Sequence, residues 1–369
     1  AGGGRSAQVT TKDDARQHCP LCSSAVVLKY SNHPGYQRPK TYDIYECQRC
    51  NTSYAYPLAT DAGIYDLIYS KKEQLQGYDR YLDYAKAVLK QADPLAYLSE
   101  SEDMYWAVGE YVKSVSPEDG KILDVGCGLG YLTYALAKKG YDVLGIDVSS
   151  SAVDGARTKY GDLFRCISAE QLSARRRSET GDGYKAIIAT ELIEHLVDIK
   201  GFLRSLDGLL IPGGDIVITT PNKTPCSKEV IWETEPPPVH LWWLSEESLV
   251  HLAHEMHYSI RFFDSRTQGN QMCDRNSVKG PRGPCRPTRF PRLTAEGSIY
   301  YPTFGFWLAR QIIRILRATG VLEQARAIQR SQTRSGCCET VMCAVLTKPD
   351  VRQDAFVQDV HPCNCTCDV

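Results

Sequence analysis

The stretch Lys121-Ile122-Leu123-Asp124-Val125-Gly126-Cys127-Gly128-Leu129-Gly130 limits the possible folds of this chain more than any other. An apolar run of strand length ends in a loop with glycine at every second position. The helical pattern of Tyr131 to Lys139 follows, then Asp142-Val143-Leu144-Gly145-Ile146-Asp147. Strand, glycine loop, helix, strand and terminal acid are the first half of a doubly wound α/β sheet of Rossmann-like type. The glycines let the backbone turn sharply and approach a ligand closely, and Asp147 is placed to accept both hydroxyls of a ribose. Asp124 suits the amino group of an amino-acid ligand, whereas a pyrophosphate-binding loop would gain nothing from a carboxylate there.

A second unit is written in cysteine. Cys19-Pro20-Leu21-Cys22 and Cys47-Gln48-Arg49-Cys50 are two knuckles flanking residues 23–46, which contain strand-like runs at 25–30 and 41–46. This is the layout of a zinc ribbon, in which two tight turns each present two thiolates to a closed tetrahedral Zn²⁺ site. A closed site is structural, and a module of about 50 residues would draw much of its folding free energy from the metal. The 15 cysteines include these paired units, and with no apolar signal core at the start the expected setting is a reducing cytoplasm rather than a disulfide framework. The opening residues 1–6 are expected to be a tail outside the fold.

With 369 residues the chain exceeds one ordinary domain, and no run of about 18 apolar residues exists to span a bilayer. The organisation expected is a zinc module over 15–58, a helical lead-in or lid over 61–118, and a core over 119–268 and 337–349. A basic loop and helical insertion is expected over 269–336 and a disordered cysteine-containing tail over 350–369. Tyrosines recur through the lead-in, most of them as core and some as pocket lining. A formal net charge of −1 gives no global field favouring nucleic acid. The arginines and lysine between 275 and 292 are a local feature suited to phosphate or to solvent. Amphipathic helices over 304–329 offer a pocket cover or a dimer surface.

The fourth strand, 184–189, leads into Thr190-Glu191-Leu192-Ile193-Glu194-His195, and a rigid Pro236-Pro237-Pro238 run delivers His240 just before a helix capped by Ser245. Spacings of three and four place Glu191, Glu194 and His195 on one side of a first helical turn. Held by Glu191, Glu194, His195 and His240, a Mg²⁺ or Mn²⁺ ion would bind two neighbouring substrate oxygens and lower the pKa of the one attacked. The alternative is His195 as a metal-free base or a pocket wall. His251, His254 and His257 read as a polar helix face.

From Gly120 to Asp264, with a last strand near 340–347, the chain resembles the class I S-adenosylmethionine (SAM)-dependent methyltransferases. The resemblance implies a seven-stranded sheet flanked by helices, with SAM across the carboxyl ends of the first strands. It assigns SAM to the loop of Asp124, Gly126, Cys127, Gly128 and Gly130, with Asp147 at the ribose, Glu170 near the adenine and Thr190 at the end of the fourth strand. The Glu-x-x-Glu-His segment and later His resemble two metal-using branches, the ubiquinone-biosynthesis O-methyltransferases and the RNA 3′-terminal 2′-O-methyltransferases. The first expectation is O-methylation of a hydroxyl on a small molecule or glycan precursor. Alternatives are a sugar-nucleotide C-methyltransferase, whose family also carries an N-terminal four-cysteine module, RNA 3′-end methylation, and a non-catalytic SAM-binding interaction protein.

Overall fold

The computed structural model describes residues 14–71, 79–176, 183–224, 236–263 and 341–350, with residues 292–294, 296, 298–300, 308, 311–312 and 315–316. The expected basic loop and the helices over 304–329 fall largely outside the described residues, and so does the cysteine tail.

Strands β1 (Val26–Pro34), β2 (Thr41–Cys47) and β3 (Ser53–Tyr56) form an antiparallel meander around the two knuckles. Helices α1 (Ala62–Lys71), α2 (Asp79–Ala87), α3 (Pro94–Ser101) and α4 (Asp103–Val112) lead to the core. The core runs β4 (Lys121–Val125), α5 (Tyr131–Lys138), β5 (Val143–Asp147), α6 (Ser150–Tyr160), β6 (Phe164–Cys166), α7 (Ala169–Arg176), β7 (Tyr184–Thr190), α8 (Ile199–Asp207) and β8 (Leu210–Pro221). After it come β9 (Trp242–Trp243), α9 (Glu246–Glu255), β10 (Ser259–Phe263), a small hairpin of β11 (Arg292–Leu293) and β12 (Ile299–Tyr300), and β13 (Val341–Thr347).

The large sheet has seven strands in the order β10-β13-β8-β7-β4-β5-β6, and β13 runs antiparallel to both β8 and β10. From β4 the chain winds outward through β5 to β6, then crosses back to β7 on the other side. The crevice at the carboxyl ends of β4 and β7 is therefore the topological switch point, where open α/β sheets bind ligands. The central strands are covered on both faces: Ile187, Ile188 and Ala189 on β7, and Ile216, Val217 and Ile218 on β8, are all 0% exposed. Burial on both sides explains their uninterrupted apolar runs, which would alternate in a sheet wetted on one face. Helix α8 shows the complementary pattern, with Ile199, Phe202, Leu203 and Leu206 buried along one stripe and Asp198 capping its start through Gly201 N–H at 2.8 Å. Among the described residues no helix is long and apolar enough to cross a membrane.

The small sheet holds a feature that no local pattern announces. Its order is β1-β2-β3-β9, so its fourth strand arrives from far along the chain, pairing Trp242 with Tyr54 and Trp243 with Ser53. Trp243 is fully buried, and the four knuckle cysteines share one apolar cluster with Leu123, Ile187 and Ile218 of the large sheet. The cysteine unit and the doubly wound unit thus bury apolar surface against each other. Trp243→Ala is expected to lower stability by about 3–5 kcal/mol. Because the tryptophan belongs to both units, a denaturant titration should show one transition at lower midpoint, not the selective loss of one unit.

Candidate functional site

The glycine loop is built by backbone constraint. Gly126, Gly128 and Gly130 have φ of 73°, 50° and 79°, in the left-handed region that disfavours side chains. At Gly130 space is closed as well, since a Cβ would lie 2.7 Å from Ala156 Cβ and from the Phe164 ring. Asp147 ends β5 and its two oxygens accept from Gly128 N–H at 2.9 Å and Ser149 N–H at 2.8 Å, so the acid ties the loop to the start of α6. Burial raises its pKa, and those backbone donors work in the opposite direction.

Asp124 lies deeper than its proposed partnership with a ligand amino group requires. It is 1% exposed, and its Oδ2 accepts from Thr133 Oγ1 at 2.6 Å, linking β4 to α5. Burial pushes its pKa up to about 6, against the opposing Thr133 hydrogen bond. Folded Asp124 therefore favours its protonated form, a contribution to stability that is full below the ordinary value of 3.8 and lost as pH rises through about 6. Asp124→Asn, which stays neutral, should lose less stability than wild type between pH 4 and pH 7. The gap seen in denaturant titrations should be of the order of 2–3 kcal/mol.

Cys127 lies within the loop, its thiol pushed far up first by burial and then by Asp124 and Asp147. Glu170 sits exposed in the first turn of α7, beyond the end of β6, and Ile167 N–H bonds to Asp147 O at 3.0 Å just before it. Thr190 closes β7.

The turn after β7 carries the second cluster. Glu191 takes a left-handed backbone, φ 48°, with its N–H on Thr219 O at 2.9 Å, and only Ile193–His195 forms a short 3-10 turn. This break corrects the expectation of one continuous helical turn. Ligand atoms of Glu194, His195 and His240 lie within 4.8 Å of one another, and Glu191 is not in that group. Glu194 is 1% exposed. Its Oε2 accepts from Thr220 Oγ1 at 2.9 Å, while its buried Oε1 has no hydrogen-bond donor among the described residues and faces His195 Nε2 at 3.8 Å. His195 Nδ1 donates to Val239 O at 2.7 Å, which turns Nε2 toward Glu194. The His195 and His240 rings are 4.8 Å apart, and Tyr65 of α1 meets His195 edge-on at 6.1 Å. A buried carboxylate oxygen and two imidazoles converging on one point fit a divalent cation, which would relieve the cost of burying that charge. The turn also reaches the glycine loop, because a Cβ on Gly126 would lie 3.1 Å from the Leu192 side chain.

At the knuckles, Cys19 and Cys50 sulfurs are 3.7 Å apart and those of Cys22 and Cys47 3.4 Å, with all four buried and mutually within 4.8 Å. A tetrahedral zinc with Zn–S bonds near 2.3 Å would space its sulfurs by about 3.8 Å. The hydrogen bond with Cys50 and then burial hold the Cys19 thiol far above its usual range, and the same contact lowers Cys50. Four thiolates this close need a cation to coexist, so the donor set fits zinc. The histidines of α9 join neither cluster.

Residues 102–268 match the methyltransferase domain family. The human mitochondrial ubiquinone biosynthesis O-methyltransferase is 36% identical over 146 residues, covering 35% of this chain and 38% of that protein. The ubiquinone biosynthesis O-methyltransferase of Sinorhizobium medicae is 30% identical over 131 residues, covering 35% and 52%. The chain thus spans about half, or less, of the length of these curated relatives. Among solved structures, magnesium protoporphyrin IX methyltransferase from Synechocystis PCC 6803 is 19% identical with TM-score 0.36, covering 56% of this chain and 90% of that one. The plantazolicin methyltransferase BpumL is 14% identical with TM-score 0.40, covering 78% and 100%. The family match and the strand order make this segment a class I SAM-dependent methyltransferase domain. Within that class, the two relatives similar to it in sequence are ubiquinone biosynthesis O-methyltransferases.

Sequence reasoning missed the roles of Thr133, Thr220 and the Val239 carbonyl, while Tyr65 is one of the recurring lead-in tyrosines read as core or pocket lining. Thr133 lay one turn into a recognised helix, yet only the folded packing shows that its hydroxyl faces Asp124. The signal for Ser149 was present, a serine opening a helix after the acid, and it serves as the α6 N-cap.

Proposed function

We propose that this chain is a SAM-dependent O-methyltransferase acting on a hydroxyl that lies beside a second oxygen, on a small molecule or glycan precursor. The observation that carries this reading is the Glu194-His195-His240 cluster, at the end of the strand next to the glycine loop. Gly126, Gly128 and Gly130 would cradle SAM, Asp147 would take the ribose hydroxyls, and Glu170 and Thr190 would border the adenine and the methyl group. Asp124 serves this site as a support for the loop through Thr133. The four-cysteine cluster is assigned a structural zinc.

SAM supplies an activated methyl group, so the protein's task is to hold the acceptor oxygen in line and to ease loss of its proton. When bound, a divalent cation would supply Lewis acidity for that second task. Glu194, His195 and His240 offer three ligand atoms, which leaves room in the coordination shell for two substrate oxygens. Two imidazoles and one carboxylate favour Mn²⁺ or another transition metal over Mg²⁺, which prefers oxygen donors. Val239 O fixes the His195 tautomer, and Tyr65 walls the ring. The donor count is compatible with a pair of neighbouring substrate oxygens, and the relatives named as O-methyltransferases support an oxygen acceptor.

Two binding experiments test the reading. With S-adenosylhomocysteine bound and the ribbon zinc counted, wild type should take up one Mn²⁺ that Glu194→Ala and His240→Ala both abolish. A wild type with no second metal site would overturn metal assistance and leave His195 as the base. Asp147→Ala should weaken S-adenosylhomocysteine binding about 10- to 100-fold by calorimetry.

A further inference from the structure

The segment 236–245 carries His240 and is gripped from two sides. On one side stands the four-cysteine module. Tyr36 N–H donates to Pro237 O at 2.7 Å and Ala55 N–H to Leu241 O at 2.8 Å, Trp242 and Trp243 pair with β3, and Ser245 Oγ donates to Cys50 O at 2.7 Å. On the other side stands the turn of Glu194 and His195. Leu241 N–H donates to Glu194 O at 2.9 Å, Trp242 Nε1–H to Leu196 O at 2.6 Å, and His195 Nδ1–H to Val239 O. The residues flanking His240 thus alternate between partners in the cysteine module and partners in the candidate metal site.

One ion pair fastens the same junction from below. Lys223, two residues past β8, is 2% exposed and donates to Glu46 Oε2 at 2.9 Å and to Asn51 O at 2.8 Å. Glu46 precedes Cys47 and Asn51 follows Cys50, so the ammonium binds both shoulders of the second knuckle. Lys223 N–H also reaches Leu244 O at 2.9 Å, at the end of the His240 segment. Buried ion pairs contribute little net stability against an apolar replacement, but losing one partner is costly and their geometry is specific.

We propose that the four-cysteine module positions His240 for the Glu194-His195-His240 site, with Lys223 as the positioning residue that locks the second knuckle to the His240 segment. The inference rests on the metal-binding reading of that cluster. It gives the zinc module a purpose within this chain. The module supplies the sheet on which one metal ligand is mounted, as outer partners elsewhere orient the ligands of a metal.

The test compares wild type, Lys223→Met and the double variant Glu46→Met/Lys223→Met, each carrying its ribbon zinc. Mn²⁺ affinity, S-adenosylhomocysteine affinity and the long-range ¹H–¹⁵N imidazole spectrum are measured. Lys223→Met is expected to raise the Mn²⁺ Kd about 10- to 100-fold and to move the His240 signals, with zinc content and S-adenosylhomocysteine affinity unchanged. The double variant removes the Glu46 carboxylate together with Lys223 and should bind Mn²⁺ as weakly as Lys223→Met, because the lock is still missing; recovery to the wild-type affinity would assign the loss to the carboxylate left behind and overturn the inference. Mn²⁺ affinity and imidazole spectra identical to wild type would overturn the inference. So would a parallel loss of S-adenosylhomocysteine binding, which marks general loosening. Should Lys223→Met fail to fold, the isosteric Glu46→Gln is read the same way. If wild type binds no second Mn²⁺, the metal-assisted function falls, and the imidazole spectra alone still decide whether Lys223 positions His240.

Discussion

The pairing of Ser53 and Tyr54 with Trp242 and Trp243 is a two-residue ladder, yet much of the molecule hangs on it. It closes the small sheet and buries Trp243. It also brings the knuckle cysteines into the same apolar cluster as the strands of the large sheet. A cysteine module of this size has little core of its own and relies on metal and neighbours for stability. Here the neighbour is the strand segment that bears His240. The contact that completes the small fold therefore also fixes one corner of the candidate site.

The rest of the site follows from the switch point of the doubly wound sheet. Crossing from β6 back to β7 opens a crevice between β4 and β7, and both clusters of functional side chains lie on the loops that border it. Their environments differ in kind. Asp124 and Asp147 are acids whose pKa values burial raises, and each spends its hydrogen bonds on the loop framework. Glu194 keeps one buried oxygen directed at two imidazoles. The first arrangement suits a scaffold for a neutral-hydroxyl contact, the second a cation.

What could be read in the sequence was what is encoded locally. The glycine loop with its following acid, and the cysteine knuckles, specify chemistry within a few residues, and the large sheet follows from alternating strand and helix patterns. The convergence of Glu194, His195 and His240 was legible because two of them are neighbours and the third follows a rigid proline run. The exclusion of Glu191 was not legible, because it depends on a left-handed residue that no pattern of carboxylates signals. Lys223 and the tryptophan pair escaped for a different reason. Their partners are distant in the chain, and a lysine after a strand or two tryptophans before a helix look like ordinary surface and core. The insertion and tail, where composition was the only guide, lie largely or wholly outside the described residues.

The proposed reaction is methyl transfer from SAM to an oxygen that has an oxygen neighbour. The most direct measurement incubates the protein with methyl-¹³C-labelled SAM and a panel of catechols and vicinal diols, with matched mono-hydroxyl controls, and follows the label by NMR. A labelled methoxy carbon is expected on a catechol or diol, and none on the mono-hydroxyl controls. Label arriving on carbon or nitrogen, or no transfer to any diol by protein that binds S-adenosylhomocysteine, would contradict it.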